Sequence, residues 1–555
     1  MPPEQAAEHP LPFINCMTPK ITVGLLALIV SLPAARFTFV VAADGRVLVD
    51  SGTSRPVEQA TLFAFDDHAL PLQENLRLEM LPPKKHSHNP VLPLGGPGMP
   101  DEWSVQFYGS ILRHEGKFKM WYVAADEESF TAMTKGGGML GWRPAYAESE
   151  DGIHWVKPNL GLVNYHGNKN NNLLLVEPAE ARGLHLIVLH EPYDPRPERR
   201  FKMLITVPFR TNGRGYSTSI PLFSRDGFRW QMTEAVRFQK RALVKEDLFL
   251  PEEHFEQGGL FRWNGMYHLP GQQLYPWAAL PDGRSAGRVM TILRSRDFLR
   301  WSPAKSLGFV RSSAFQHGGR NGLGEEAHLA ASVWHRGNVL VGLYGLWHGA
   351  EDWQDRSMDL GLLVSNDGLK FREPAPDYVF IPRGKDGSWD QGGLLQGQGF
   401  ANVGEQSYFY YGHWDMRVGG NYRPRGGVGL ATLPRDRLGF LTTRQSNRPA
   451  AMITCALKVS GPLDVRINAD GLSDDARLRV ELLDESEQPI PGYSGGQAGR
   501  VADSGFNQPV SWAEGSSPPR LVQEFRVKLI FDGKERDRIK VYAIYVRSTD
   551  TPATQ

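Results

Sequence analysis

Ser149-Glu150-Asp151-Gly152-Ile153-His154-Trp155 returns as Ser224-Arg225-Asp226-Gly227-Phe228-Arg229-Trp230, as Ser295-Arg296-Asp297-Phe298-Leu299-Arg300-Trp301 and as Ser365-Asn366-Asp367-Gly368-Leu369-Lys370-Phe371. A weaker fifth copy is Arg435-Asp436-Arg437-Leu438-Gly439-Phe440. The aspartates at 151, 226, 297, 367 and 436 stand 75, 71, 70 and 69 residues apart. So long and steady a period marks an array of supersecondary units. Ser and Asp side chains bond turn backbone, Gly tolerates positive φ, and the following aromatic packs back between units. The motif is therefore structural, not catalytic.

Each turn follows a β-rich run, such as Ser219 to Ser224 or Leu360 to Ser365, and a second run precedes that one, such as Phe201 to Val207 or Val339 to Leu346. A third run opens each unit: Gly109 to Leu112, Leu186 to Leu189, Gly258 to Phe261, Ala327 to Val333 and Gly397 to Ala401. With the strand after the turn, each unit holds four strands. The pattern predicts an all-β chain with a five-bladed β-propeller over residues 90–447, its opening strands lining the channel. Alternating runs such as Leu463-Asp464-Val465-Arg466-Ile467 and Phe525-Arg526-Val527-Lys528-Leu529-Ile530 then predict a C-terminal β-sandwich over 448–549, with 550–555 a tail and 44–89 an N-terminal extension.

The chain has 555 residues with 62 Lys plus Arg against 61 Asp plus Glu, so no basic stripe exists to neutralise phosphates; nucleic acid is excluded as the main partner. Its 41% hydrophobic content supports a large core, while 59 Gly and 40 Pro disfavour a helical fold. Two cysteines, Cys16 and Cys455, are too few for a disulfide framework or a Cys-ligated zinc site. The apolar run Ile21 to Val41, preceded by Lys20 and followed by Ala42-Ala43-Asp44, has the layout of a secretory signal over residues 1–43, with Met17 an alternative start. Pro33 and Arg36 interrupt it short of the ~20 residues a spanning helix needs. The expectation is a secreted or periplasmic protein with no integral membrane domain after cleavage, rather than an anchored one.

Residues at the starts of innermost strands converge on one mouth of a propeller. The candidate carboxylates are Asp101 and Glu102, Glu191 and Asp194, Glu256, Glu325 and Glu326, and Asp390. Glu256 lies ten residues before Met266, and Glu191 ten before Phe201, which suggests equivalent places in the repeat. Carboxylates facing one cleft suit glycosidic bond cleavage: one protonates the leaving oxygen, while the other attacks the anomeric carbon or activates water. Sugar faces stack on aromatic rings. Trp103, Trp263, Trp347 and Trp414 are candidates for that, with Gln272, Glu325, Glu326, His328 and Asp390 as polar contacts.

The stretch His254-Phe255-Glu256-Gln257-Gly258-Gly259-Leu260-Phe261-Arg262-Trp263-Asn264-Gly265-Met266-Tyr267 resembles the third-blade acid motif of the five-bladed propeller glycosidases of families 43 and 32, the arabinanase, levansucrase and invertase-like enzymes. The resemblance implies Glu256 as general acid, Glu191 or Asp194 as transition-state support, and Asp101 or Glu102 as base or nucleophile. The invertase-type Asn-Asp-Pro-Asn-Gly stretch is absent. A glycoside hydrolase acting on a carbohydrate is therefore expected, with no required cofactor. Oxygen ligands could hold Ca²⁺, although no spacing demands it. The alternatives are a glycoside phosphorylase, with Arg320, His328 and Arg417 toward phosphate, and a carbohydrate-binding propeller without catalysis. Oligomeric state is left open. Gly492-Tyr493-Ser494-Gly495-Gly496 lies in a loop and lacks the strand-to-helix setting of a nucleophile elbow.

Overall fold

The turn motif shows how local chemistry builds the molecule. In the second copy, Ser224 Oγ accepts from the Gly227 N–H at 2.8 Å, and Asp226 Oδ1 accepts from the N–H groups of Phe228 and Arg229 at 2.8 and 2.9 Å. The Trp230 indole donates to the Gly227 carbonyl at 3.0 Å. The copies at 149 and 365 repeat the Ser and Asp bonds. Gly227 has φ +81°, and in the third copy Phe298 takes φ +71° at the same place, buried against Phe223 and Tyr267. The fifth copy is different. Asp436 is buried in an ion pair with Arg336, and Tyr545 donates to it at 2.9 Å.

A computed structural model gives the architecture, and it describes residues 45–51, 56–134, 141–239, 242–274, 287–311, 322–415, 425–513, 521 and 523–550. The expected signal segment, together with Arg320 and Arg417, lies outside these residues. The described chain is nearly all β, with one α-helix, Glu127–Thr134. No helix among the described residues is long and apolar enough to cross a membrane.

Antiparallel sheets follow one another along the chain. The first holds Ser104–His114, Lys117–Ala125 and Arg143–Ser149. The second is built on Leu186–His190, Phe201–Thr211 and Arg214–Ser224, and the third on Glu256–Gln257, Phe261–Trp263, Met266–Gln273 and Val289–Ser295. Glu325–His335, Leu340–His348, Ser357–Ser365 and Val379–Ile381 form the fourth. Leu394–Val403, Gln406–His413 and Val428–Pro434 form a fifth group, which meets the first through parallel pairing of Gln398 and Gly399 with Ser110 and Ile111. The turns act as joints between these groups. The Trp121 indole donates to the Gly227 carbonyl at 2.8 Å, and the Tyr410 hydroxyl donates to the Gly152 carbonyl at 2.8 Å.

Three opening strands carry an irregularity at the same level, between Gln106 and Ser110, His328 and Ser332, and Gln396 and Phe400. Such bulges bend a strand and re-aim its side chains. In the third sheet Gly258 and Gly259 occupy the break between Gln257 and Phe261. A Cβ on either would fall about 2 Å from the carbonyl oxygen of Leu329 or Ala331, so only glycine lets these backbones approach.

A separate sheet of 13 strands carries the C-terminal part of the chain. Phe525–Asp532 alternates buried Phe525, Val527, Leu529 and Phe531 with half-buried partners, the period a one-sided strand requires. Val47–Val49, Gln59–Phe63, Leu72–Glu74 and Leu76–Met80 from the N-terminal segment pair into this same sheet, and Lys84–Lys85 adds to Val428–Pro434.

Candidate active site

Glu256 opens the third sheet, and its strand pairs it with Gln272. The Gln272 amide donates to Glu256 Oε2 at 2.6 Å, while Gln272 Oε1 accepts from the buried Leu329 N–H at 3.2 Å. The second bond fixes which end of the amide faces the acid. His254 Nδ1 accepts from the Ser217 N–H at 3.2 Å, so its Nε2 carries hydrogen and stands 3.9 Å from Glu256 Oε1. One oxygen of the carboxyl group is thus held by an amide donor.

Glu256 lines a cavity of about 180 Å³. The first sheet supplies Ser104, Gln106 and Tyr108 to the lining, the second Thr206 and Ser217, and the fourth His328 and Leu329; the fifth group supplies His413, followed by Trp414. Phe130 of the helix, Trp142 and Leu184 form an apolar wall. The Tyr108 and His185 rings meet at 4.3 Å, and His328 lies between Trp347 at 5.6 Å and Trp414 at 5.5 Å.

Burial drives His185 down to about 4, against the pull of Glu256. Burial, with Arg288 and His185 adding to it, holds His328 well below the ordinary imidazole value. Both rings are therefore uncharged at neutral pH. Burial and then the Glu256 charge push the Tyr108 phenol well up, so it stays protonated. Gln106 Oε1, Trp142 Nε1, His185 Nδ1, Thr206 Oγ1 and His328 Nδ1 are buried atoms with no hydrogen-bond partner among the described residues. Buried polar atoms are normally paired. A cluster of donors and acceptors of this kind suits a ligand rich in hydroxyls.

Of the residues anticipated from sequence, Glu256, His328 and Trp414 line the cavity, Gln272 bonds the acid, and Trp347 backs His328. Other candidates are placed elsewhere. Asp101 is fully buried, paired with Lys157 at 2.5 Å and accepting from the Tyr122 hydroxyl at 2.7 Å, while Glu102 accepts from the Gly98 N–H. Trp103 packs on Phe130, and Trp263 is buried beside His335. Glu191 bonds Arg262, Lys202 and Tyr267, and Asp194 shares Lys202; burial raises both acids, but these partners outweigh it and hold them below the usual range. Glu325 pairs with Arg311 and His348, Glu326 with Arg288, and Asp390 with Lys85 and Tyr411.

The spacing argument for Glu191 fails on hairpin length. His190 pairs with Phe201 across a long connection, whereas Trp263 and Met266 are joined by the tight turn Asn264-Gly265. Ten residues from the second strand is therefore the hairpin end in one sheet and the mouth end in the other. His185, adjacent to Thr206, takes the level in the second sheet that Glu256 takes in the third. His185, Tyr108 and Gln106 carried no sequence signal beyond lying at or just before opening strands. Glu256 is the only carboxylate among the described residues of the lining. No group of three or more His, Cys, Asp or Glu that could hold a metal ion occurs among the described residues.

No protein-family model and no curated protein matches the chain. Among solved structures it is similar to one from work on the GH130 family of mannoside phosphorylases containing glycoside hydrolases that target β-1,2 mannosidic linkages in Candida mannan: 15% identity, TM-score 0.39, covering 64% of this chain and 94% of that one. A glycosyl hydrolase from Bacteroides ovatus is similar at 14% identity and TM-score 0.39, covering 65% and 95%. The GH32 β-fructofuranosidase of Bombyx mori is similar at 11% identity and TM-score 0.36, covering 82% and 94%.

Proposed function

We propose that this chain is an exported glycoside hydrolase, built as a five-bladed propeller followed by a β-sandwich, with Glu256 as the proton donor. The observation that carries the reading is the placement of Glu256 in a cavity at the meeting of the opening strands, among aromatic rings and unpartnered polar atoms. Glu256 in its acid form would give its proton to the glycosidic oxygen as the bond from that oxygen to the anomeric carbon breaks. Water would attack the anomeric carbon. His185 and His328, both uncharged and in the same lining, are the groups that could take the proton that water loses. Tyr108, Gln106 and Thr206 would hold hydroxyls.

Glu256→Gln keeps the shape and removes the proton, so turnover of a natural glycoside should fall about 10²- to 10⁴-fold with the melting temperature unchanged. Wild-type rates for E256Q on a glycoside that the wild type cleaves would refute the assignment.

One observation favours a second reading, phosphorolysis. With a single carboxylate among the described lining residues, a nucleophile that arrives already ionised needs no base, and inorganic phosphate is one. Product formation that requires phosphate and yields a sugar 1-phosphate would select this reading; equal rates without phosphate would select hydrolysis.

A further inference from the structure

A layer of glutamine bonds backs the cavity through the carbonyls of its lining residues His185 and Leu329. Gln398, from the fifth group of strands, accepts from the Leu260 N–H at 2.8 Å and donates to the Leu260 carbonyl at 2.6 Å. Leu260 belongs to the third sheet, and the whole fourth sheet lies between the two in sequence, so this clasp spans the middle of the ring of strands. Gln257 donates from the third sheet to the His185 and Leu204 carbonyls of the second, each at 2.8 Å, and Gln396 donates to the Leu329 carbonyl of the fourth. All three glutamines are buried. Beside them the Gly258 and Gly259 backbones touch the fourth sheet too closely to admit a Cβ. Among the described residues, these bonds and close approaches bridge the opening strands of the second, third, fourth and fifth groups at one layer.

The space in front of this layer is small. An apolar cavity of about 150 Å³ holds one benzene ring. At about 180 Å³, with an open mouth, this one has room for one sugar ring and not two. Its charge is equally restrictive. Glu256 is the lone carboxyl group of the described lining, which contains no Lys or Arg, and Arg288, the nearby cation, is committed to Glu326 at 2.5 Å while lying over the Trp347 ring. A carboxylate on the bound ring would be taken out of water with no Lys or Arg among the described lining residues to pair with it.

We infer that the cavity is a blind subsite for one terminal, uncharged sugar ring, so that cleavage proceeds from the end of a glycan and chains ending in a uronic or other acidic sugar are rejected. The inference rests on the glycoside-cleaving reading and adds to it a mode of attack and a class of ring. The clasp between Gln398 and Leu260 supports a pocket rather than a channel. The uncharged state of His185 and His328 supports the selection against acidic rings.

The test uses the whole wild-type chain and a panel of neutral oligosaccharides labelled at the reducing end, with matched chains whose far end is a uronic acid. The expected result is a free monosaccharide as first product, a ladder of labelled chains shortened one ring at a time, and rates lower by about a hundredfold or more for acid-terminated chains. Internal fragments appearing before any monosaccharide, in a reaction that E256Q loses, would overturn the blind subsite and leave the acid assignment standing. Equal rates on acid-terminated chains would overturn the selection for neutral rings. If no glycan is cleaved, tryptophan fluorescence of the same protein titrated with neutral monosaccharides and with uronic acids decides. A response to neutral sugars alone supports the subsite, and no response up to about 50 mM overturns both the subsite and the function.

Discussion

Gln272 shows how little of a site resides in its reacting atom. Its side chain answers the Leu329 N–H with one end and Glu256 with the other. Gln272→Ala would leave the buried Leu329 N–H unpaired, at a cost of about 1–3 kcal/mol measurable by chemical denaturation, and would lower kcat by freeing the acid to rotate. The same residue illustrates what was legible in advance. Glu256 stood out because a carboxylate led an apolar strand ending in Asn-Gly. Its neighbours His185 and Tyr108 did not, because a histidine or tyrosine near an apolar strand looks the same in sequence whether it faces a cavity or a core. Asp101 was attractive in sequence, yet a lysine far along the chain, Lys157, neutralises it, and pairing over that separation leaves no local pattern.

At the scale of the element, the turns were readable because their chemistry is local: Ser, Asp and Gly within a few residues satisfy one another's backbone. Asp226→Ala should destabilise by about 1 kcal/mol through loss of two backbone acceptor contacts, whereas Asp226→Asn, which keeps an acceptor oxygen, should cost less. Burial raises Asp226 and Asp297, but the N–H groups they accept outweigh it and hold both below the ordinary carboxyl value. Their contribution is therefore complete above about pH 3.9 and is lost as pH falls through the depressed values, which an acid titration of wild type against D226A would resolve. The fourth sheet behaves in the opposite sense. Burial pulls His348 down, but bonds to Asp359 and Glu325 outweigh it and hold the imidazole up at about 9. Its stabilisation is complete below about pH 6.5 and disappears as pH rises through about 9. Melting temperatures across that window should decline in wild type and less steeply in H348Q. The weaker copy at Asp436 shows where local reading stops, since its aspartate is drawn into a pair with Arg336, 100 residues away.

Across the whole molecule, the long period, the β-rich runs and the Gly and Pro content were enough to foresee an all-β array with a differently patterned C-terminal part. The weaving of the N-terminal strands into the C-terminal sheet was not foreseeable, because register between strands hundreds of residues apart is set by shared core packing rather than by any local motif. The Arg336–Asp436 pair and Tyr545 tie the fourth sheet to that C-terminal sheet at a buried joint. Asp436→Ala, which strands Arg336 without its partner, should cost about 3–5 kcal/mol and broaden the calorimetric transition, while a loss below about 1 kcal/mol would show the joint to be dispensable.

The central claim, that Glu256 and its cavity handle a sugar, is tested most directly by a crystal structure of E256Q soaked with a glycoside that the wild type cleaves. The account predicts the terminal ring inside the cavity between Tyr108, His185 and Trp414, with the oxygen of the scissile bond in hydrogen-bond reach of residue 256. Sugar bound only on the outer strands, with the cavity filled by solvent, would contradict it.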